Sequence, residues 1–426
     1  MKIHHESFLT DFASMSRNGA TPGGGVDRQA ATAADGQNRN WFRGLAEGYG
    51  FSVHYDNVGN QFSLLELSPG APWIAVGSHL DSQPLAGRFD GAYGVLAGAH
   101  AALRVRETMQ DNDPAKFNIV VVNWFNEEGC RFKPSMMGSA VYTGKLPASQ
   151  VLETTDPHGV SVREALESIG TIGDFKIEVA AYVEIHIEQG RSMEDQGLDI
   201  GLVESTWGAN KYEFIVHGEQ AHTGATIIAD RQDALLGASA LVVAAREVAL
   251  EHSTEEHMVI TSCGEFTVFP NSPVVVASRV NLLVDLRSTD AEVLAAADVD
   301  LRSRVKLIEK LANVSIERGA EHIWDAKAYD QAGLKLAADA AQSLGLRHGV
   351  VRTLAGHDST NMKDIVPTIM LFVPSVEGIS HNERELTHDK DMLAGLDLLA
   401  EVLHRVVQGQ FVPANELLAT ASGRSQ

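Results

Sequence analysis

A histidine and two aspartates surround a glycine-rich turn that directly follows an apolar run. The stretch GSHLDSQPLAGRFDG covers residues 77–91 and comes after the residues WIAV. In an extended strand, His79 and Asp81 point to the same side, because strand side chains alternate with a period of two. Asp90 follows nine residues after Asp81. Such a group can be a capped turn, a hydrogen-bonded pair or part of a metal site, and the stretch by itself leaves all three open.

Further imidazoles and carboxylates accompany other apolar runs. Glu127 and Glu128 end the run FNIVVVNWFNEE, His186 lies in AAYVEIHIEQG, and His381 in GISHNE follows the run PTIMLFVPS. Sheets covered by helices gather their active sites beyond the carboxyl ends of the strands. Histidine and carboxylate ligands suit zinc, manganese or cobalt better than calcium or magnesium. Separate turn caps and surface acids are the alternative, but the shared position at strand ends favours one metal site.

The chemistry that this pattern indicates is hydrolysis. Two cations about 3.5–4 Å apart need a carboxylate between them, and one aspartate can bridge them with its two oxygens. The adjacent Glu127 and Glu128 point in different directions, so one can bind a metal while the other stays free as a base for the metal-bound water. Such a site lowers the pKa of that water toward ~7 and supplies hydroxide at neutral pH.

Length and charge narrow the class of protein. A chain of 426 residues exceeds the size that a single core usually reaches, which predicts two domains. The formal net charge of -22 argues against nucleic acid and anionic membranes as partners, because both need basic patches. The two cysteines cannot form a disulfide framework, and the sequence shows neither an apolar leader nor a run of 18 apolar residues. We therefore expect a cytoplasmic protein.

The helices and strands predicted around these residues belong to the α/β class. Apolar strands separated by helices predict a catalytic domain with a mixed sheet covered by helices, and its first long helix is predicted over residues 26–49. A β-α-β-β-α-β order follows in the middle of the chain, which predicts a smaller ferredoxin-like α+β domain inserted there. The expected boundaries are 1–208 and 325–413 for the catalytic domain, 209–324 for the inserted domain and 414–426 for a flexible tail.

Six motifs carry a resemblance to a known group of hydrolases. They are GSHLDSQPLAGRFDGAYGV, FNEEGCRFKPSMMGS, EIHIEQG, GEQAHTGAT followed by DRQDAL, AGHDS and GISHNERE. In this order and spacing, the chain resembles the M20 metallopeptidase superfamily. EEGCRF, HIEQG and GISHNE are similar to the branch of N-carbamoyl-L-amino-acid hydrolases, β-ureidopropionases and allantoate amidohydrolases. The resemblance implies that the inserted domain is a lid through which two copies form a homodimer.

The resemblance also implies a metal centre of two divalent cations per subunit. His79 and His186 would hold one cation, Glu128 and His381 the other, and Asp90 would bridge them. Zinc or manganese is the expected metal, with cobalt and nickel as further candidates. Asp81 would orient His79, and Glu127 would act as the general base and then as the acid that protonates the leaving nitrogen.

The same resemblance assigns residues to the substrate. His222 of the lid would act across the dimer and stabilise the developing oxyanion, and Arg287 would hold the substrate carboxylate with its planar guanidinium. Gln189 matches a substrate contact, and His357 in AGHDS matches a motif near the site. The family usually carries an asparagine where this chain has Val274, and Asn271 is the neighbour that could replace it.

We therefore predict a dinuclear metal-dependent amidohydrolase that cleaves the carbamoyl C–N bond of a small substrate bearing a carboxylate, such as an N-carbamoyl-L-amino acid or allantoate. Val274 and the stretch Ile227–Ile228 place apolar side chains where the family has polar or turn-forming residues. They favour an alternative substrate, another N-acyl or aromatic amide. A third hypothesis is a non-catalytic metal-binding scaffold, whose mark would be a missing ligand or base. The sequence lacks neither.

Overall fold

A computed structural model describes residues 2–109, 114–254, 256–353 and 355–412. The chain divides into two compact units. The first unit comprises residues 1–204 together with 329–426, and the second comprises residues 205–328. The tail predicted at 414–426 lies outside the described residues. In the described part of the chain, no helix combines the length and the apolar character needed to span a membrane.

The strands are the scaffold of both units. In chain order they are β1 (Ser52–Tyr55), β2 (Gln61–Leu65), β3 (Trp73–His79), β4 (Asn118–Trp124), β5 (Val179–Ile187), β6 (Ile200–Thr206), β7 (Gly208–His217), β8 (Ala221–His222), β9 (Val259–Phe269), β10 (Val275–Val276), β11 (Arg279–Ser288), β12 (Ser315–Trp324), β13 (His348–Thr353) and β14 (Thr368–Val373).

The helices complete the element list. They are α1 (Lys2–Met15), α2 (Ala33–Gly48), α3 (Ala92–Thr108), α4 (Met137–Tyr142), α5 (Ala148–Glu153), α6 (Val162–Ile169), α7 (Ser192–Gln196), α8 (Ala234–His252), α9 (Ala291–Ala312), α10 (Gln331–Ser343), α11 (Asp358–Met362) and α12 (Asp389–Val407).

An eight-stranded mixed sheet forms the centre of the first unit, which confirms the predicted class. Its strand order is β1-β2-β4-β3-β5-β14-β6-β13. The strands β4, β3, β5 and β14 are parallel, so their carboxyl ends meet at one edge of the sheet. Helices α1, α3, α10 and α12 contribute to the main hydrophobic core. Met362 of α11 packs with Phe62, Trp124 and Tyr182 in a separate cluster.

Helix α3 lies close to the sheet because of its small residues. All of its residues from Ala92 to Val105 are buried. A Cβ added at Gly94 would collide with the carbonyl oxygen of Ile185 in β5. Glycine at position 94 therefore lets the helix approach the strand that carries His186.

The start of the first long helix differs from the sequence prediction. The predicted helix begins at Val26, whereas α2 begins at Ala33. The N–H group of Val26 donates to the carbonyl oxygen of Ala86 at 2.9 Å, so this segment is extended against the turn before Asp90. The Thr32 side chain then accepts the N–H of Asp35 and caps the helix. The prediction was wrong over residues 26–32, because a long-range backbone pairing replaces the first turns of the helix.

The second unit contains a four-stranded antiparallel sheet in the order β12-β7-β11-β9. This order, with α8 after β7 and α9 after β11, is the ferredoxin-like β-α-β-β-α-β arrangement. Its core joins Phe214 and Leu282 of the sheet to Leu241 of α8 and Leu301 of α9. The sheet and the two helices therefore share one hydrophobic core.

Two glycines in helices test how closely α3 packs on the sheet. Replacing Gly94 by alanine should lower the urea midpoint of unfolding, because overpacking against a backbone atom costs about 1–3 kcal/mol. Gly44 lies in α2 with open space around it. Gly44→Ala should raise the midpoint, because alanine favours a helix over glycine by about 1 kcal/mol. Shifts in the same direction for both variants would contradict this account of the packing.

Candidate active site

The candidate ligands lie where parallel strands of the first unit end. His79 is the last residue of β3, and His186 is the last residue but one of β5. Glu127 and Glu128 follow the end of β4, and His381 follows β14. Because these strands are parallel neighbours, the sheet brings their carboxyl ends to one edge.

One group of ligand atoms joins His79, Asp90 and His186. Their nitrogen and oxygen atoms lie within 4.8 Å of one another. The Oδ1 atom of Asp90 is 3.0 Å from His186 Nε2 and 3.5 Å from His79 Nε2. All three side chains are buried. This group can hold a cation away from bulk water.

A second group joins Asp90, Glu128 and His381. The Nε2 atom of His381 lies 3.3 Å from Asp90 Oδ2 and 3.4 Å from Glu128 Oε2. The His381 side chain is 49% exposed, so this group is open to one side. Asp90 therefore turns one carboxylate oxygen toward each group, which is the arrangement that a bridging ligand requires.

Backbone carbonyls fix the tautomers of the two buried histidines. The Nδ1 atom of His79 is 2.9 Å from the carbonyl oxygen of Asp81, and His186 Nδ1 is 2.9 Å from that of Ile187. A ring nitrogen that faces a carbonyl oxygen must carry the proton, which leaves Nε2 unprotonated. The N–H of Gly91 donates to His186 Nε2 at 3.1 Å, as expected for that tautomer. Imidazole nitrogens and carboxylates in this state fit a divalent transition metal.

Glu127 lies beside the first group without being part of either. Its Oε2 atom is 3.5 Å from His79 Nε2, and the side chain is buried. Burial raises the pKa of Glu127 well above its ordinary value; His79 opposes this shift, and the negative charge of Asp358 adds to it. A carboxyl group with a raised pKa can accept a proton near neutral pH.

Asp81 contacts Glu127, Glu128 and His79. Its carboxylate accepts the N–H groups of Glu127 and Glu128, each at 3.3 Å. The Nδ1–H group of His79 donates to the backbone carbonyl of Asp81, whereas the Asp81 carboxylate oxygen is 3.8 Å from that nitrogen. Asp81 therefore holds the turn of the two glutamates with its side chain and the histidine with its backbone.

Gln189 and Ser380 line the second group. The amide of Gln189 donates to Asp90 Oδ2 at 2.7 Å and to Ser380 Oγ at 3.0 Å. Sequence reasoning gave Gln189 to the substrate and missed Ser380. The Gln189 side chain contacts the shared carboxylate in this structure. The only sequence signal for Ser380 is its place before the histidine in GISHNE.

Glu385 is a second buried carboxylate that sequence reasoning missed. Its side chain accepts the N–H groups of Phe89 and Asp90 and the hydroxyl of Ser380. Burial is the main reason why the pKa of Glu385 is raised to about 7. The motif GISHNERE contains this residue, but nothing in its spacing shows what it contacts.

His357 packs beside the first group. Its ring centre lies 4.5 Å from that of His186 in an edge-to-face arrangement, and its Nε2 is 2.9 Å from Thr353 Oγ1. Burial lowers the pKa of His357 well below its ordinary value, which keeps the ring neutral. The structure thus places His357 against a candidate ligand.

The remaining candidates belong to the second unit. His222 in β8 is exposed, and its Nδ1 accepts the N–H groups of Gly224 and Ala225. Arg287 in β11 donates to Asp285 at 2.7 Å. Asn271 is exposed in the segment between β9 and β10.

Comparison with known proteins found one matching family profile and several similar proteins. The profile of the peptidase family M20/M25/M40 matches residues 75–405. A Mycolicibacterium smegmatis protein, assigned only in general terms as a hydrolase, is 56% identical over 410 residues, which cover 94% of this chain and 93% of that protein. An N-carbamoyl-L-amino-acid amidohydrolase of Rhizobium meliloti is 33% identical, with 93% and 95% of the two chains covered.

A solved structure shows the same fold over the full length. An amidase of the hydantoinase/carbamoylase family from Burkholderia vietnamiensis is 34% identical and has a TM-score of 0.87. The match covers 96% of this chain and 98% of that protein.

Asp81→Asn tests the link between Asp81 and the two glutamates. The amide keeps one acceptor and turns an NH₂ group toward a backbone N–H, so the turn should loosen. We expect zinc affinity, measured by calorimetry on metal-free protein, to fall 10–100-fold, the usual effect of losing a partner of a metal ligand. Asp195→Asn, at an exposed helix position, is the control. Equal zinc affinity for both variants would show that the Asp81 carboxylate is not needed.

Proposed function

The chain belongs to the peptidase family M20/M25/M40, and we propose that it is a dinuclear metal-dependent amidohydrolase. The proposed reaction cleaves the carbamoyl C–N bond of a small substrate that bears a carboxylate, such as an N-carbamoyl-L-amino acid or allantoate. The observation that carries the proposal is Asp90, which turns one oxygen toward each of two ligand groups.

The chain's own residues supply a place for each cation. His79, His186 and Asp90 would hold one, and Asp90, Glu128 and His381 the other. Bound divalent cations polarise a carbonyl oxygen and lower the pKa of water. Zinc and manganese are the proposed metals, because imidazole and carboxylate ligands suit both.

Glu127 is the proposed general base and acid. Its buried carboxylate lies next to His79 and outside both ligand groups, so it remains available for a proton. It would take a proton from the attacking water and deliver it to the leaving nitrogen. For an N-carbamoyl amino acid, loss of ammonia leaves a carbamate, which releases carbon dioxide and the free amino acid.

The second unit is proposed to supply contacts to the substrate. The Nδ1 atom of His222 accepts two backbone N–H groups, so its proton lies on Nε2, which can donate to a developing oxyanion. Arg287 is proposed to bind the substrate carboxylate through its guanidinium, which Asp285 holds in place. Asn271, Gln189 and His357 are further proposed contacts.

Exposed apolar residues of the second unit favour substrates other than carbamoyl compounds. Val274 is 59% exposed, and Ile227 and Ile228 are 65% and 83% exposed. The carbonyl of Val274 accepts the N–H of Thr223, directly after His222. These side chains support a second candidate reaction, the hydrolysis of an N-acyl or aromatic amide by the same catalytic residues.

One surface of the second unit, formed by α8 and β9, is also proposed to pair two subunits in a dimer. Leu236, Val243 and Leu250 recur every seven residues along α8, with exposed fractions of 47%, 56% and 67%. Strand β9 lies at the edge of its sheet and has 11 residues. An exposed apolar stripe and a long free edge are typical of a surface that pairs with another chain. The proposed partner is a second copy of this chain.

Product analysis tests the reaction and separates the two candidate substrates. Protein reconstituted with zinc or manganese would be incubated with N-carbamoyl-L-amino acids, allantoate and N-acyl amino acids. Ammonia release from a carbamoyl compound or allantoate is the expected result. Release of amine without ammonia would favour the N-acyl candidate. No product from any substrate, with metal bound, would contradict the proposed reaction.

Glu127→Gln separates the base from the metal ligands. The amide cannot take a proton, so kcat should fall by about 10²–10⁴-fold while the metal content, measured by mass spectrometry, stays at the wild-type level. Glu66→Gln makes the same change at an exposed position and should leave both values unchanged. Loss of metal together with activity in Glu127→Gln would make Glu127 a ligand instead.

Val243→Glu tests the dimer surface. A charge in the middle of the apolar stripe should convert the dimer to a monomer, seen by light scattering after size exclusion. Leu307→Glu changes a residue of α9 that is 64% exposed, and it should leave the dimer intact. A monomeric wild-type protein, or dissociation by both variants, would contradict the proposed surface.

A further inference from the structure

Glu385 is a buried carboxylate that belongs to neither ligand group. Its side chain is 5% exposed, and it follows His381 by four residues. Burying a charged group is costly unless hydrogen bonds satisfy it. The partners of Glu385 therefore indicate what its charge is used for.

One oxygen of Glu385 holds the backbone at Asp90. Its Oε1 atom accepts the N–H of Phe89 at 3.0 Å and the N–H of Asp90 at 3.1 Å. A Cβ added at Gly87 would collide with this carboxylate. The turn before Asp90 is thus closed around the Glu385 side chain.

The other oxygen holds the residue before His381. Ser380 Oγ donates to Glu385 Oε2 at 2.9 Å, and it also lies 3.2 Å from Asp90 Oδ2. A hydroxyl has one proton, so the acceptor on Glu385 leaves Asp90 Oδ2 free for another partner. Gln189 donates to both Ser380 and Asp90, which closes the network.

The contacts of Glu385 involve the group Asp90–Glu128–His381 more directly than the group His79–Asp90–His186. The network meets Asp90 at its backbone and at Oδ2, the oxygen that faces His381. The rings of His79 and His186 are held by the backbone carbonyls of Asp81 and Ile187, without Glu385. Loss of Glu385 should therefore disturb the group that contains His381.

We propose that Glu385 is a positioning residue that couples Asp90 to His381 and so sets the affinity of the group Asp90–Glu128–His381 for a divalent cation. The inference rests on the proposed function in that this group is taken to hold a cation. A purely structural role is the competing explanation, because Glu385 also lies in the electrostatic field of the buried Arg28. The two explanations differ in which cation is lost and in whether the fold is weakened.

Glu385→Gln in the full-length chain tests the proposal with Co²⁺ as the probe. Glutamine keeps the size of the side chain, but its NH₂ group cannot accept the Ser380 proton. Metal-free protein would be titrated with Co²⁺ by calorimetry and by visible absorption. We expect one equivalent to bind 10–100-fold more weakly, with the other within threefold of wild type and the thermal midpoint of metal-free protein unchanged. His381→Ala identifies the affected equivalent.

Gly87→Ala is a second, independent variant. Its methyl group should displace the Glu385 carboxylate without removing the charge, so the same equivalent should weaken. Glu377→Gln changes an exposed glutamate in the segment between β14 and Ser380 and serves as the matched control, with no change expected.

Three results would overturn the proposal. They are unchanged Co²⁺ affinity in Glu385→Gln and Gly87→Ala, weakening of a different equivalent from the one lost in His381→Ala, and equal loss of all binding together with a lower thermal midpoint. The wild-type titration is a separate test of the dinuclear centre. A single equivalent in wild type would contradict the two-cation proposal, while the ratio of variant to wild type still decides the role of Glu385.

Discussion

The structure around the candidate site depends on one buried carboxylate, that of Asp90. Burial by itself would raise its pKa, yet the facing imidazoles of His186, His381 and His79 bring the pKa well below the ordinary value. A buried charge is tolerated only when it is paired and hydrogen-bonded. Asp90 meets this condition by facing imidazoles from three separate parts of the chain. These three imidazoles are also members of the two ligand groups that share Asp90.

The mixed sheet is the element that makes this assembly possible. Parallel strands place His79 and His186 at one edge, and the turns after β4 and β14 bring Glu128 and His381 to the same place. Gly94 allows α3 to lie against β5 without displacing it. The extended segment at Val26, paired with Ala86, supports the turn that leads to Asp90.

Backbone groups hold several of the side chains in the candidate site. Carbonyl oxygens of Asp81 and Ile187 orient the two buried histidines, and N–H groups of Glu127 and Glu128 bind the Asp81 carboxylate. Asp81, Glu127 and Glu128 lie in the turns that directly follow β3 and β4, so the ends of these two strands position them. The candidate ligands are therefore held in part by backbone groups at the ends of strands, which favours a preorganised site.

Hydrophobic periodicity and residue type indicated the fold class and candidate ligands at strand ends, because both are local signals. The choice of Asp90 as the shared ligand came from the resemblance to the M20 superfamily. Glu127 and Glu128 are neighbours in the sequence, and the resemblance assigned them different roles. Three features depend on contacts between distant parts of the chain. They are which oxygen of Asp90 faces which group, where α2 begins, and the binding of Glu385 to the backbone at Phe89, 296 residues away. Contacts over such separations leave no periodic pattern in the chain. They arise when the strands bring distant turns to one edge and the buried polar groups there must find partners.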